Sequence, residues 1–165
     1  SSQFERRTVS KTYHAILLGE VPGLEDGSRS RLIDASVNGQ PAVSELELLG
    51  TTPHANWGCI STVRMRPRTG RTHQLRLHAA RALGTPIIGD DLYGHDAEDG
   101  RATALPPVKK SVGLFLQSCG VRFEHPAEAD RTVEVLVPEL RKFGALRERA
   151  QRGADYTSNG ALATG

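Results

Sequence analysis

No run of apolar residues in this chain approaches the roughly 20 that a membrane-spanning helix needs, so neither a helical span nor a membrane partner is expected. Nor does it open with a basic stretch and an apolar core, the pattern of a secretory signal. It opens on Ser1-Ser2-Gln3 rather than Met, and we expect that anything preceding this point has been removed or left out. Cysteine is scarce: Cys59 and Cys119 stand apart from one another and outside any Cys-x-x-Cys pattern. Free thiols of an intracellular protein are therefore expected, not a disulfide or a nucleophile. Among the six histidines, His73 and His78 lie five apart and miss the spacing that places two ligands on one helix face. No metal is expected, and no internal repeat is present.

At 165 residues and 38% hydrophobic content, the chain has enough apolar side chains for one globular core. Its net charge of +2 does not by itself imply a polyanionic partner. The distribution of charge says more. Between Glu47 and Asp90 there is no acidic residue and no lysine, while Arg64, Arg66, Arg68, Arg71, Arg76 and Arg81 all fall there. Guanidinium groups present several donors in a planar fork and stay charged at any working pH, which suits phosphate groups. A solvated strand face whose arginines pair with acids elsewhere in the fold would give the same pattern, and charge alone leaves both readings standing.

Local patterning places the elements. Lys11 to Leu18 reads as a strand with an apolar end, closed by Gly19 and Pro22, and the segment from Pro22 to Arg31 as a loop. Val43 to Leu49 is a second strand candidate, and Thr51 to Gly58 a loop. Ile60 to Arg66 alternates cleanly, with Val63 and Met65 on one face and Arg64 and Arg66 on the other. Pro67 ends that strand and Thr69-Gly70 makes a turn. A helix comes next, with Thr72 as its cap, Leu75, Ala79 and Leu83 on one face, and Gly84-Thr85-Pro86 as its stop. Val112 to Ser118, Val121 to Glu124 and Val133 to Val137 read as short strands, with a turn at His125-Pro126-Ala127-Glu128. Leu140 to Arg152 reads as a terminal helix. Together these predict an α+β domain over residues 1–152, a mixed and largely antiparallel sheet flanked by a few helices, with 153–165 a disordered tail.

The most informative stretch is Arg68-Thr69-Gly70-Arg71-Thr72-His73-Gln74-Leu75-Arg76-Leu77-His78, continued by Gly84-Thr85-Pro86-Ile87-Ile88-Gly89-Asp90-Asp91-Leu92-Tyr93-Gly94. It strongly resembles the third conserved motif of the RluA-type pseudouridine synthases, in which a Gly-Arg-Thr-His-Gln-Leu/Ile-Arg run enters a helix and a Gly-x-Pro-Ile/Leu-x-Gly-Asp-x-x-Tyr-Gly run leaves it. Lys11-Thr12-Tyr13-His14-Ala15 is similar to the Lys-x-Tyr-x-Ala of the second motif. Asn38-Gly39-Gln40-Pro41-Ala42-Val43-Ser44 resembles the Asp-Gly-Lys-x-Ala-x-Thr element between the two, and Phe123-Glu124-His125-Pro126 the family's Phe-x-His-Pro. All four occur in the family's order, from about Phe4 to Leu140. Two departures are visible: Asn38 stands for the usual Asp, and Leu116-Gln117-Ser118 for the usual Leu-His-Ala.

The resemblance implies the conversion of uridine to pseudouridine in structured RNA, ribosomal or transfer, without cofactor or metal. By position in the motifs, Tyr13 would face the uracil, Arg76 would pair with the catalytic aspartate, and Leu75 would line the base pocket. Arg71, His73 and Gln74 would brace the turn or touch the substrate RNA, and Arg64, Arg66 and Arg68 are candidates for phosphate contacts. The target uridine would be extruded from the RNA fold into the pocket.

One part of the pattern is absent. No His-Arg-Leu-Asp-x-x-Thr-Ser-Gly loop, the source of the family's catalytic aspartate, occurs between Ser1 and Gly165. Arg31-Leu32-Ile33-Asp34 imitates it with an extra residue, without Thr-Ser-Gly, and on the wrong side of the tyrosine motif, so Asp34 is not taken as catalytic. Asp90 and Asp91 belong to the third motif itself and are poor substitutes. Phe4-Glu5-Arg6-Arg7-Thr8-Val9 resembles the family's segment just downstream of the catalytic loop and its helix, so the nucleophile is expected upstream in a longer chain. The alternatives are a non-catalytic RNA-binding or ribosome-associated module, and one half of a split enzyme completed by a separate chain. The expected location is intracellular: cytoplasmic, or mitochondrial or plastid in a eukaryote.

Overall fold

A computed structural model describes residues 9–24, 27–94, 113–128 and 131–160, with side chains described as far as residue 153. Six strands form one sheet: β1 (Ser10–Leu18), β2 (Ser30–Asp34), β3 (Val43–His54), β4 (Gly58–Pro67), β5 (Leu116–Glu124) and β6 (Thr132–Leu136). Their order across the sheet is β2-β3-β4-β1-β5-β6, and every neighbouring pair is antiparallel. Helix α1 (Gln74–Leu77) runs on into a π-helical turn (His78–Ala82), and α2 (Arg141–Gly160) closes the fold. The α+β class and the antiparallel sheet expected from the sequence are both present.

The residues explain this arrangement. In β4, Val63 and Met65 are fully buried while Arg64 and Arg66 reach solvent, the alternation of a strand with one apolar face. In β1, by contrast, Ala15, Ile16, Leu17 and Leu18 are all buried, which only a central strand covered on both faces achieves. The stripe of Leu75, Ala79 and Leu83 and the α2 residues Phe143 and Ala150 belong to the same core. The segment after α1 returns along β1 as a short extra strand. Leu18 N–H donates to the Pro86 carbonyl and Ile88 N–H to the Ile16 carbonyl, each at 2.9 Å.

Strand β2 was not expected: its first residues, Ser30 and Arg31, fall in the segment read as a loop and pair with Glu47 and Leu46 of β3. Four further elements depart from expectation for identifiable reasons. Thr51–Gly58 is not a loop, since β3 continues to His54 and pairs with β4 as far as Gly58. Beyond Leu48 the strand has left β2 behind, so Pro53 sits where β3 has no neighbour on its outer side and its missing N–H costs no ladder bond. Second, β5 is a single strand from Leu116 to Glu124 rather than two, and Val112 lies outside the described residues. Gly120 is not a turn: a Cβ there would meet Leu136 Cδ2 at 2.8 Å and Thr12 Cβ at 3.3 Å, so glycine permits close approach of the neighbouring strands. Third, Thr72 does not cap α1. His73 takes the cap position in left-handed backbone (φ 54°) with no side-chain cap bond. Fourth, the α2 backbone runs to Gly160, beyond the Arg152 boundary; residues 161–165 of the expected tail lie outside the described residues, as does most of Phe4–Val9.

The sheet ends at two edges. On the β6 side, Val135, Leu136, Val137 and Leu140 are all about half exposed or more and form an apolar surface. No helix among the described residues is long and apolar enough to cross a membrane.

Phe143 fixes α2 to the sheet. Its ring is fully buried and packs at 5.3 Å from that of Phe115, with the Lys142 ammonium 4.5 Å from the Phe115 ring centre. Truncating it leaves a cavity that the surrounding strands cannot fill. Phe143→Ala is expected to cost about 3–5 kcal/mol in chemical denaturation.

Candidate active site

The site grows from the connection between β4 and α1. The Thr69 hydroxyl accepts the Val43 N–H at 2.9 Å and donates to Gln74 Oε1 at 2.7 Å. Gln74 Oε1 also accepts the Arg71 N–H at 3.0 Å, while Nε2 donates to the Val43 carbonyl and to Ser44 Oγ, both at 2.9 Å. This buried amide braces the turn that leads into α1 and ties the helix start to the start of β3. Its hydrogen-bonding capacity is fully engaged inside the protein.

So braced, the helix start opens a cleft of about 830 Å³ whose walls include Lys11 and Tyr13 of β1, Glu45, Arg66 and Arg68, and the run of Arg71, His73, Gln74, Leu75 and Arg76. Tyr13 stands at a bulge in the β1–β5 ladder and packs on the core with its ring. Its hydroxyl has no hydrogen-bond partner among the described residues. The structure thus brings Tyr13, Leu75, Arg76, Arg71, His73, Arg66 and Arg68 to one cavity, and Gln74 to its wall. Arg64 is not on it.

Arg76 is held on one edge. Its Nε donates to Asp90 Oδ2 at 2.8 Å and its Nη2 to Asp90 Oδ1 at 2.5 Å, a bidentate pair, with Asp91 3.7 Å from Nη2. Asp90 Oδ1 also accepts the N–H groups of Leu92 (3.1 Å) and Tyr93 (2.9 Å), which curls the Gly89–Gly94 segment around it. Burial alone would raise the Asp90 carboxyl, but the Arg76 hydrogen bonds, the two backbone donors and the Arg76 charge outweigh it and hold the group below the usual carboxylate range. Those same bonds raise Arg76 further. The Tyr93 ring lies 5.1 Å from the Arg76 guanidinium, and its hydroxyl is 2.9 Å from His73 Nδ1. Asp90 and Tyr93 were missed as site residues by sequence reasoning, although the Gly-Asp-x-x-Tyr-Gly run carried the signal.

The arginine stretch is less bare than the sequence suggested. Arg64 stands opposite Glu47 and Arg66 opposite Glu45 in the β3–β4 ladder. Arg64 pairs with Glu47 at 2.7 Å, Arg66 reaches the same carboxylate at 3.7 Å, and Arg68 pairs with Glu45 at 2.6 Å. The acids missing from the stretch come from the adjacent strand. Arg71 donates from Nε to the Pro41 carbonyl at 3.2 Å and keeps its charge at the rim of the cleft.

The antiparallel sheet, with the start of α1 beside its central strand, has the fold of pseudouridylate synthase domains. The chain belongs to the RluA-type pseudouridine synthase family. It is 34% identical over 161 residues to the Ribosomal large subunit pseudouridine synthase C of Pasteurella multocida, covering 89% of this chain and 46% of that protein. It is 36% identical over 135 residues to RNA pseudouridine synthase 3, mitochondrial, of Oryza sativa subsp. japonica, covering 73% of this chain and 28% of that protein. This chain thus spans less than half the length of either relative. Among solved structures, Human RNA Pseudouridylate Synthase Domain Containing 1 superposes with a TM-score of 0.60 at 26% identity, over 84% of this chain and 58% of that one. No family model matches the chain.

The Arg76–Asp90 pair gives a direct prediction. Asp90→Asn leaves a guanidinium, only 14% exposed, with no carboxylate nearer than the exposed Asp91 at 3.7 Å, and is expected to destabilise the fold by about 3 kcal/mol in a denaturant titration. Because the folded-state pKa of Asp90 is depressed, its contribution is fully present above the ordinary value of 3.8 and is lost as pH falls below it. The gap between wild type and Asp90→Asn should therefore narrow below about pH 4.

Proposed function

We propose that this chain supplies the uracil-facing and carboxylate-orienting residues of an RNA pseudouridine synthase, acting on uridine in structured RNA, ribosomal or transfer. The observation that carries this reading is the convergence of Tyr13, Leu75 and Arg76 on one cleft. The reaction breaks the N1–C1′ bond of uridine, turns the base, joins C5 to C1′ and releases the C5 proton, with no net redox change. An aromatic ring beside the base can stack on it while its hydroxyl serves as donor or acceptor, the role we assign to Tyr13. Leu75, 6% exposed, offers an apolar wall.

Arg76 is the positioning cation. With Nε and Nη2 bound to Asp90, its Nη1 edge remains for a second carboxylate, which it would hold ionised and oriented. The family's aspartate loop does not occur within these 165 residues, so in this reading the nucleophile comes from residues beyond them, in the same polypeptide or in a separate one. Arg71 and His73, at the rim, suit contacts to the RNA backbone, as do Arg66 and Arg68 where they outreach their carboxylate partners. Arg64 and Gln74 serve as structural partners behind them. The site of action is intracellular, where such RNAs are found; the rice relative bears a mitochondrial name.

Tritium release from RNA carrying 5-tritiated uridine, measured with the native protein from its own cells, tests this reading. Release without added cofactor is expected. Tyr13→Phe and Arg76→Lys should each lower the single-turnover rate by about 100-fold or more while circular dichroism stays unchanged. A native protein that binds RNA and releases no tritium would instead be a binding module.

A further inference from the structure

A second cavity, about 370 Å³, is lined by the 35–39 segment and by Leu77, His78, Arg81 and Ala82. Four features make it more than a surface dimple. Asn38 and Gly39 both hold positive φ (51° and 74°) at the tip of a two-residue hairpin closed by Val37 and Gln40, so the tip is rigid. Ser36, Asn38 and Gly39 offer hydroxyl, amide and backbone N–H donors that no other described residue engages. Arg81, exposed, brings a cation. Finally, His78 is 1% exposed, and its Nε2 donates to the Ala35 carbonyl at 3.0 Å, so its Nδ1 bears a lone pair, and that atom has no partner. The π-helical turn at His78–Ala82 places these side chains here, and such turns recur at functional positions.

Donors with a cation on the lip, and a buried acceptor below, match the two ends of a ribonucleotide's sugar–phosphate: an anionic phosphate and a hydroxyl donor. The cavity also adjoins the cleft. The guanidinium carbons of Arg76 and Arg81 lie 5.1 Å and 6.0 Å from the centre of the same Tyr93 ring, within the span of one or two nucleotides of an extended strand. We propose that this cavity is a subsite for the ribose-phosphate of a nucleotide flanking the target uridine, with Arg81 on the phosphate and Ser36, Asn38 and Gly39 around it. The proposal rests on the reading of this domain as one that acts on RNA. The subsite positions a strand and takes no part in bond making.

The test is fluorescence anisotropy of a labelled RNA stem-loop with uridines in its loop, titrated with the full-length protein at several salt concentrations. Arg81→Gln should weaken binding by about 5-fold and lower the slope of log affinity against log salt by about 1, as loss of one phosphate contact requires. Arg149→Gln, removing an exposed arginine of α2 away from this cavity, should leave both unchanged. Replacing the loop riboses by deoxyriboses should weaken wild-type binding. Wild-type behaviour of Arg81→Gln, or an equal loss in Arg149→Gln, overturns the proposal, as does equal binding of the deoxyribose strand. Tritium release by the wild-type protein is scored separately, so a missing activity with an intact Arg81 effect would sink the synthase reading and leave the subsite standing.

Discussion

The site depends on one buried ion pair. Asp90, with no exposed side-chain surface, grips two nitrogens of Arg76 and two backbone N–H groups of its own turn, so a single carboxylate fixes both a helix residue and the loop beyond the helix. Such a pair costs desolvation, and it holds because the carboxylate is met by four donors in all. The consequence for function is geometric. Arg76 cannot swing, and what it offers the cleft is one defined edge of a planar fork. A carboxylate approaching that edge meets a cation already shared with Asp90, hence an orienting group more than a bare positive charge.

Around that pair, the fold works by making backbone and side chain answer for one another. Gln74 holds the turn before α1 and at the same time bolts the helix start to β3, so the cleft wall is joined to the sheet. The 86–88 segment docks on β1 and thereby delivers Asp90. On the β3–β4 ladder, glutamates stand opposite arginines and restrain them, so the charge of Arg64, Arg66 and Arg68 is partly met within the sheet.

Much of this was legible in the sequence, and the remainder was hidden for specific causes. The alternation of Ile60 to Arg66 and the apolar end of β1 carried strand geometry directly, because burial tracks period two. The Leu75, Ala79 and Leu83 stripe foretold the helix face, yet not its π turn, which adds a residue without disturbing that stripe. Thr72 looked like a cap because threonine caps helices; the helix instead starts one residue later, after His73 in left-handed backbone with no side-chain cap bond. The arginine stretch left two readings open because sequence shows only local neighbours, and strand register decides for pairing by bringing Glu45 and Glu47 across. Tyr13, Leu75 and Arg76 were singled out through their motifs, and the fold brings all three to one cleft. Asp90 was set aside as a nucleophile, and its structural role emerges only once the chain has folded back along β1.

That the cleft between β1 and the start of α1 receives a uridine from RNA is tested most directly by photocross-linking. The full-length protein would be irradiated with RNA bearing 4-thiouridine and the adducts mapped by mass spectrometry. Adducts are expected on the peptide containing Tyr13 and on the segment from Arg66 to Arg76. Adducts confined to the apolar surface of β6, with none in the cleft, would contradict a uridine-binding role for it.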